Sequence, residues 1–150
     1  MPQKAVLTAA LAVTLGLSAA LQAASPDEQI KYRQNVMKAL GGHTGAATLI
    51  VQGKSGHPDH LLSHAQGMAA IGTQIGDLFP AGSGESETAA RPEIWSQPEE
   101  FGKAVTRTEE ATAAFLAAVE SGDQEKIGAA MKDVGGSCKG CHDDFRRKKE

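Results

Sequence analysis

"SCKGCHDDFRRKK", residues 137–149, carries both cysteines of the chain, Cys138 and Cys141, with His142 directly after the second. On a helix, positions 138, 141 and 142 share one face. Reading upstream, Ile127, Met131 and Val134 continue that face, which runs from Asp123 to Phe145. The stretch is therefore the end of a helix that opens at 123 and closes on a basic turn, Arg146 to Lys149. A basic turn suits the negative end of the helix dipole.

Three more helical patterns precede it. Ser25 is a good cap with Pro26 at the first helical position. From there Ile30, Met37, Thr44 and Val51 recur every seven residues, with Arg33, Leu40 and Ala47 as a second row. Gly41, Gly42 and Gly45 are expected to weaken or kink this helix and to let another body come close. A second helix starts near Pro58–Asp59, with Leu61, Ala65, Met68, Ile71, Ile75 and Leu78 as its buried stripe. Residues 79–98 hold three prolines and two glycines and have no periodicity, so they form a long connection. A third helix opens at Pro98 with Glu99 and Glu100 in its first turn, and Ser121–Gly122 ends it. Its stripe is Phe101, Val105, Thr108, Thr112, Phe115 and Val119. Short joins after the first and third helices make their neighbours antiparallel. The expected architecture is all-α, an up-down-up-down four-helix bundle.

The chain has 150 residues, a formal charge of -3, 41% hydrophobic residues and 4% aromatics. That length bounds it to one domain. So few aromatics make a thin core for four helices, which a large apolar cofactor can help fill. Residues 1–24 read as a secretory signal, with Lys4 at the start, an apolar run, and small residues at a cut between 20 and 24. The run is short for a membrane anchor and no stop-transfer charge cluster follows it. The expected mature domain is 25–150, exported, with formal charge -4 once Lys4 is removed. An acidic chain without a basic stripe argues against nucleic acid. No phosphate loop, nucleophile elbow or paired catalytic carboxylate is visible, so the chain is not expected to be an enzyme.

Four readings compete for the cysteines. A disulfide between neighbours on one helix has poor geometry. A thioredoxin-like pair needs a preceding strand. Zinc needs further ligands. The remaining reading is Cys-x-x-Cys-His, the attachment motif of c-type haem. Two thiols add across the two vinyl groups, and His142 supplies an imidazole to the iron. Export agrees, because haem c is attached outside the cytoplasm. One covalent haem c is expected, and a non-haem redox or zinc role is a distant third reading.

With the motif on the last of four helices, the chain from 25 to 150 resembles the class II c-type cytochromes, the cytochrome c′ and cytochrome c-556 family. "KYRQNVMKALGGH" (31–43), "ARPEIWS" (90–96) and "DVGGSCKGCHDDFRRKK" (133–149) carry the likeness, above all the terminal motif with Phe145–Arg146 after it. The resemblance implies two possible states of the iron. In the low-spin branch a methionine of the first helix is the sixth ligand, and here that position is Met37. In the c′ branch the distal face stays open and takes NO or CO. "VMKALGG" and the glycines favour ligation by Met37, while "ARPEIWS" looks more like c′. The resemblance also implies that Arg33 and Gln34 lie beside the haem propionates, where an arginine fork suits a carboxylate. It implies a homodimer through the first two helices as well.

The expected function is thus a periplasmic electron carrier with iron held by His142 and Met37. The alternative is a five-coordinate gas-binding protein. Lys139, Arg146, Arg147, Lys148 and Lys149 are expected to ring the haem edge and steer an acidic redox partner. Of the remaining histidines, His60 and His64 have metal-like spacing, but a solvated helix start is the preferred reading. His43 is a lesser rival for the sixth position. Trp95 is expected to pack the long connection onto the bundle, and the residues before Pro92 to border the haem edge.

Overall fold

The computed structural model describes residues 24–148, so the expected signal segment up to residue 23, with Lys149 and Glu150, lies outside the described residues. The four anticipated helices are α1 (Pro26–Val51), α2 (Leu61–Gly72), α4 (Pro98–Ser121) and α5 (Gln124–Phe145), with a one-turn α3 (Glu93–Ser96) inside the long connection. They form the expected bundle. α2 packs against both α1 and α4, and α4 against α5. Among the described residues no helix is long and apolar enough to cross a membrane.

The ends follow from local chemistry. Ser25 Oγ accepts from the Glu28 N–H, while the Glu28 carboxylate accepts from the Ser25 N–H at 2.8 Å, a reciprocal cap. Asp123 Oδ1 accepts from the N–H groups of Glu125 and Lys126 at the start of α5. Gly122 closes α4 with φ +71°, a left-handed conformation that costs glycine nothing.

Three details depart from the sequence reading. α1 runs unbroken through Gly41, Gly42 and Gly45, and a Cβ added at any of the three would meet no neighbour, so no part of the described chain uses them for close approach. α2 ends at Gly72 rather than near Leu78; the chain then tightens into a 3-10 turn, Gly76–Leu78, which still buries Ile75 and Leu78. Gly72 is where α2 meets α4, since a Cβ there would collide with Thr112. Finally, the basic segment is not a helical turn. α5 stops at Phe145, and Arg146 is extended and bridged to Ala90.

The core lies along the α1–α2–α4–α5 seam. Ala47, Ala65, Met68, Phe115 and Val134 are fully enclosed. On α4 and α5 the buried stripe is deepest at Thr112, Phe115 and Val134 and also takes in Ala104, Ala118, Ala130 and Ser137, with Val105, Val119, Met131 and Cys138 flanking it. The buried line thus mixes small residues, which let helices approach, with Phe115 and Val134, which fill the space between them.

Candidate functional site

At one end of the bundle α1 and α5 do not close on each other. Between them lies a cavity of about 490 Å³. Its lining takes Arg33, Gln34, Met37 and Lys38 from α1 and Cys141, His142 and Phe145 from α5. Phe101 comes from α4, and Thr88, Ala89 and Ala90 from the long connection. That volume is in the range of a cofactor pocket.

Aromatic residues shape its floor. Phe101 meets Phe79 edge-to-face at 5.0 Å and Phe145 at 5.3 Å. Three of the four phenylalanines of the chain thus surround the cavity. The long connection is held beside it from both sides. The Arg91 N–H donates to the Phe145 carbonyl at 3.0 Å, and the Arg147 N–H donates to the Ala89 carbonyl at 2.8 Å. The indole of Trp95 donates to the Phe79 and Pro80 carbonyls, and its ring lies against Gly84, where a Cβ would collide with it. Trp95 therefore fastens one end of the connection to the other, and it also packs against the cluster of Ile94, Phe101, Ala104 and Phe145, which joins the connection to the bundle.

Arg33 is the most constrained residue here. It is only 4% exposed and has no carboxylate among its partners. One terminal nitrogen donates to the Leu78 carbonyl and Ser83 Oγ, the other to the Ser83 carbonyl and Thr88 Oγ1, all at 2.9–3.1 Å. The guanidinium also lies 4.7 Å over the Phe79 ring. Burial pulls its pKa below the usual arginine value. This clamp on the connection escapes sequence reading because its partners lie 45 to 55 residues away. Gln34 is exposed at the rim, and Met37 is half-buried in the α1 wall.

On α5, Cys138 and Cys141 are half-buried free thiols, and burial pushes both pKa values up. Reactive redox cysteines show the opposite shift, toward thiolate. Among the described residues, Cys138, Cys141 and His142 do not converge as a single ion would require. They are spaced along the helix instead, which suits attachment along one edge of a flat group. Burial first, and then Arg146, hold His142 below the ordinary histidine pKa. The neutral imidazole so favoured is the ligating form. Cavity size, spaced thiols, neutral imidazole and aromatic floor all fit a covalently attached haem.

The profile of the cytochrome c′ family matches residues 28–146. The chain belongs to the cytochrome c′ family. Members of this family carry a single covalent haem c with its iron. Among relatives, cytochrome c′ of Pararhodospirillum photometricum is 36% identical over 124 residues, covering 82% of this chain and 99% of its own length. Cytochrome c-556 of Agrobacterium tumefaciens is 33% identical over 124 residues, covering 81% and 98%. A solved cytochrome c′ of Alcaligenes xylosoxidans, a ferrous variant with bound NO, superposes with TM-score 0.78 at 30% identity, covering 85% of this chain and all of its own. Another solved cytochrome c′, described as having ligand-controlled dimer dissociation, gives TM-score 0.77 at 28% identity, covering 85% and 100%.

The other sequence-marked residues lie elsewhere. His43 is not in the cavity wall; its Nδ1 is 3.1 Å from His64 Nδ1 across α1 and α2. The expected basic ring is uneven. Arg146 lines the cavity, while Lys139 pairs with Asp143 and the Arg147 guanidinium bonds the Thr88 carbonyl.

Proposed function

We propose that this cytochrome c′ family member binds NO and CO at an open distal site, in place of the low-spin electron-carrier reading favoured from its sequence. Haem c supplies an iron that changes oxidation state and binds diatomic gases. Cys138 and Cys141 would hold it by thioethers, and His142 would supply an imidazole to the iron. Met37 would then be a wall of the distal side. The observation that carries this reading is the fold-wide likeness to a cytochrome c′ with NO bound, together with a cavity that extends to Met37.

Arg33 would act chiefly by pinning residues 78–88 against the cavity, lending positive charge to that edge, and Gln34 would guard the rim. Gln34, exposed at the rim, suits a carboxylate of a bound haem, whereas the Arg33 fork is taken up by Leu78, Ser83 and Thr88 and would act on such a group only through its charge. Export with loss of residues 1–24, a periplasmic setting and a homodimer belong to the same reading. For the dimer, Tyr32 and Leu49 on α1 and Leu62 on α2 offer exposed apolar surface.

A second reading has one observation in its favour, the relationship to a cytochrome c-556. There Met37 would bind the iron, and the protein would carry electrons to an anionic partner. The two separate by CO titration of the reduced protein and of Met37→Ala. An open site takes CO rapidly in both. Slow, weak uptake that becomes fast in Met37→Ala would establish the ligand role instead.

A further inference from the structure

The far end of α1 carries a different chemistry. After Val51 the chain turns through "HPDH", residues 57–60, into a 3-10 turn, Pro58–His60. Such a turn has three residues per revolution, so side chains at i and i+3 eclipse. His57 and His60 accordingly stack, ring centroids 4.8 Å apart and planes within 8°. Asp59 lies between them in sequence, with its Oδ2 3.7 Å from His60 Nε2. One donor atom from each of the three lies within 4.8 Å of the others. The backbone beneath is set by Pro58, by the His57 N–H donating to Ser55 Oγ at 3.1 Å, and by the His60 N–H donating to the His57 carbonyl at 3.2 Å.

We propose that His57, Asp59 and His60 form a surface site for a divalent late-transition-metal ion of the zinc class. Two imidazoles and a carboxylate are a usual donor set for such an ion, with water completing the shell. Bonds of about 2.0–2.1 Å to nitrogen bring two ligand atoms to roughly 3.3 Å from each other, so no pair of the triad need close by more than about 1.5 Å. The parallel rings cannot both point a lone pair at one ion, and one imidazole must turn about its Cβ–Cγ bond. All three side chains are exposed, so solvent leaves them that freedom. His64, one turn on, is not part of the set, because its Nδ1 is engaged with His43. The site is remote from the haem cavity. Met37 and Val51 are separated by about 21 Å along α1 at 1.5 Å per residue.

Zinc titration of the haem-loaded protein by calorimetry tests this. Wild type should bind one Zn²⁺ in the micromolar range, about -8 kcal/mol at 1 μM. His57→Ala and His60→Ala should each weaken binding by about tenfold or more, whereas His64→Gln should leave it unchanged. Zinc should also raise the melting temperature of wild type but not of His57→Ala. No zinc uptake, undiminished uptake in both His57→Ala and His60→Ala, or uptake lost in His64→Gln would overturn the proposal. The last outcome would place the ion at the His43–His64 pair.

Discussion

The two ends of the bundle use the same helices in opposite ways. Along the middle and the α2–α4 side the chain fills its own space, with Ala47, Ala65, Met68, Phe115 and Val134 fully enclosed. There α2 and α4 come so close that Gly72 admits no side chain beside Thr112. At the other end three phenylalanines, a half-buried methionine and a buried arginine stand around a cavity of about 490 Å³. A void of that size, left empty, forfeits packing on every wall. The difference teaches that the shortage of aromatics is local: large side chains are gathered where a prosthetic group is to complete the core.

The largest expected effect breaks the comparison outright. Replacing Cys138 and Cys141 together with alanine should abolish covalent haem, read as loss of the pigment from the chain after denaturation. The filled end should lose its order first, because a ligand bound only to the native state stabilises it. Pigment that stays on the denatured double variant would refute the attachment site.

Arg33 comes next. Arg33→Met removes four donated hydrogen bonds and leaves Ser83, buried with no exposure, short of its donor. A loss of about 2–4 kcal/mol is expected from the denaturant midpoint. Amide exchange should quicken in residues 78–88 while α2 and α4 keep their protection. A uniform loss across the bundle would deny Arg33 its local role.

Glycines give the comparison a sign. Gly84→Ala drives a Cβ into the Trp95 ring and should cost about 1–3 kcal/mol. Gly135→Ala, on an α5 face where a Cβ meets nothing, should instead stabilise by up to about 1 kcal/mol. Equal effects would mean that the connection yields as freely as an open helix face. Smallest is the α1 cap, where Ser25→Ala should cost about 1 kcal/mol. Glu28 is held below the ordinary carboxylate range first by the Ser25 N–H and then by its hydroxyl. Its share of the cap is therefore present above the unfolded carboxylate pKa and disappears as pH falls through the lowered one; Ser25→Ala loses only the hydroxyl's part of that share, so the gap to wild type should narrow in acid but not close, because Ser25 Oγ still accepts from the Glu28 N–H.

Much of this was legible because helix boundaries are written locally. Ser25–Pro26, Pro98–Glu99–Glu100 and Gly122–Asp123 mark ends that the structure reproduces. The family's single covalent haem c was legible for the same reason, because the Cys-x-x-Cys-His pattern lies within five residues. Long-range contacts were not. Nothing near Arg33 announces Ser83 or Thr88, and nothing near Arg146 announces Ala90. Reading the basic tail by the dipole rule alone extended α5 beyond Phe145. The His57–His60 pair was missed because α-helical spacing pointed to His60 and His64, whereas the 3-10 turn pairs residues three apart.

The central claim is that the haem completes the open end of this bundle. Paramagnetic broadening in the NMR spectrum of the ferric protein, referenced to its reduced CO-bound form, tests it most directly. Broadened resonances should gather at Met37, Thr88, Ala89, Ala90, Phe101 and Phe145, while those of His57, His60 and Leu62 stay sharp. Broadening centred on the α1–α2 turn, or absent from Met37 and Phe101, would contradict the account.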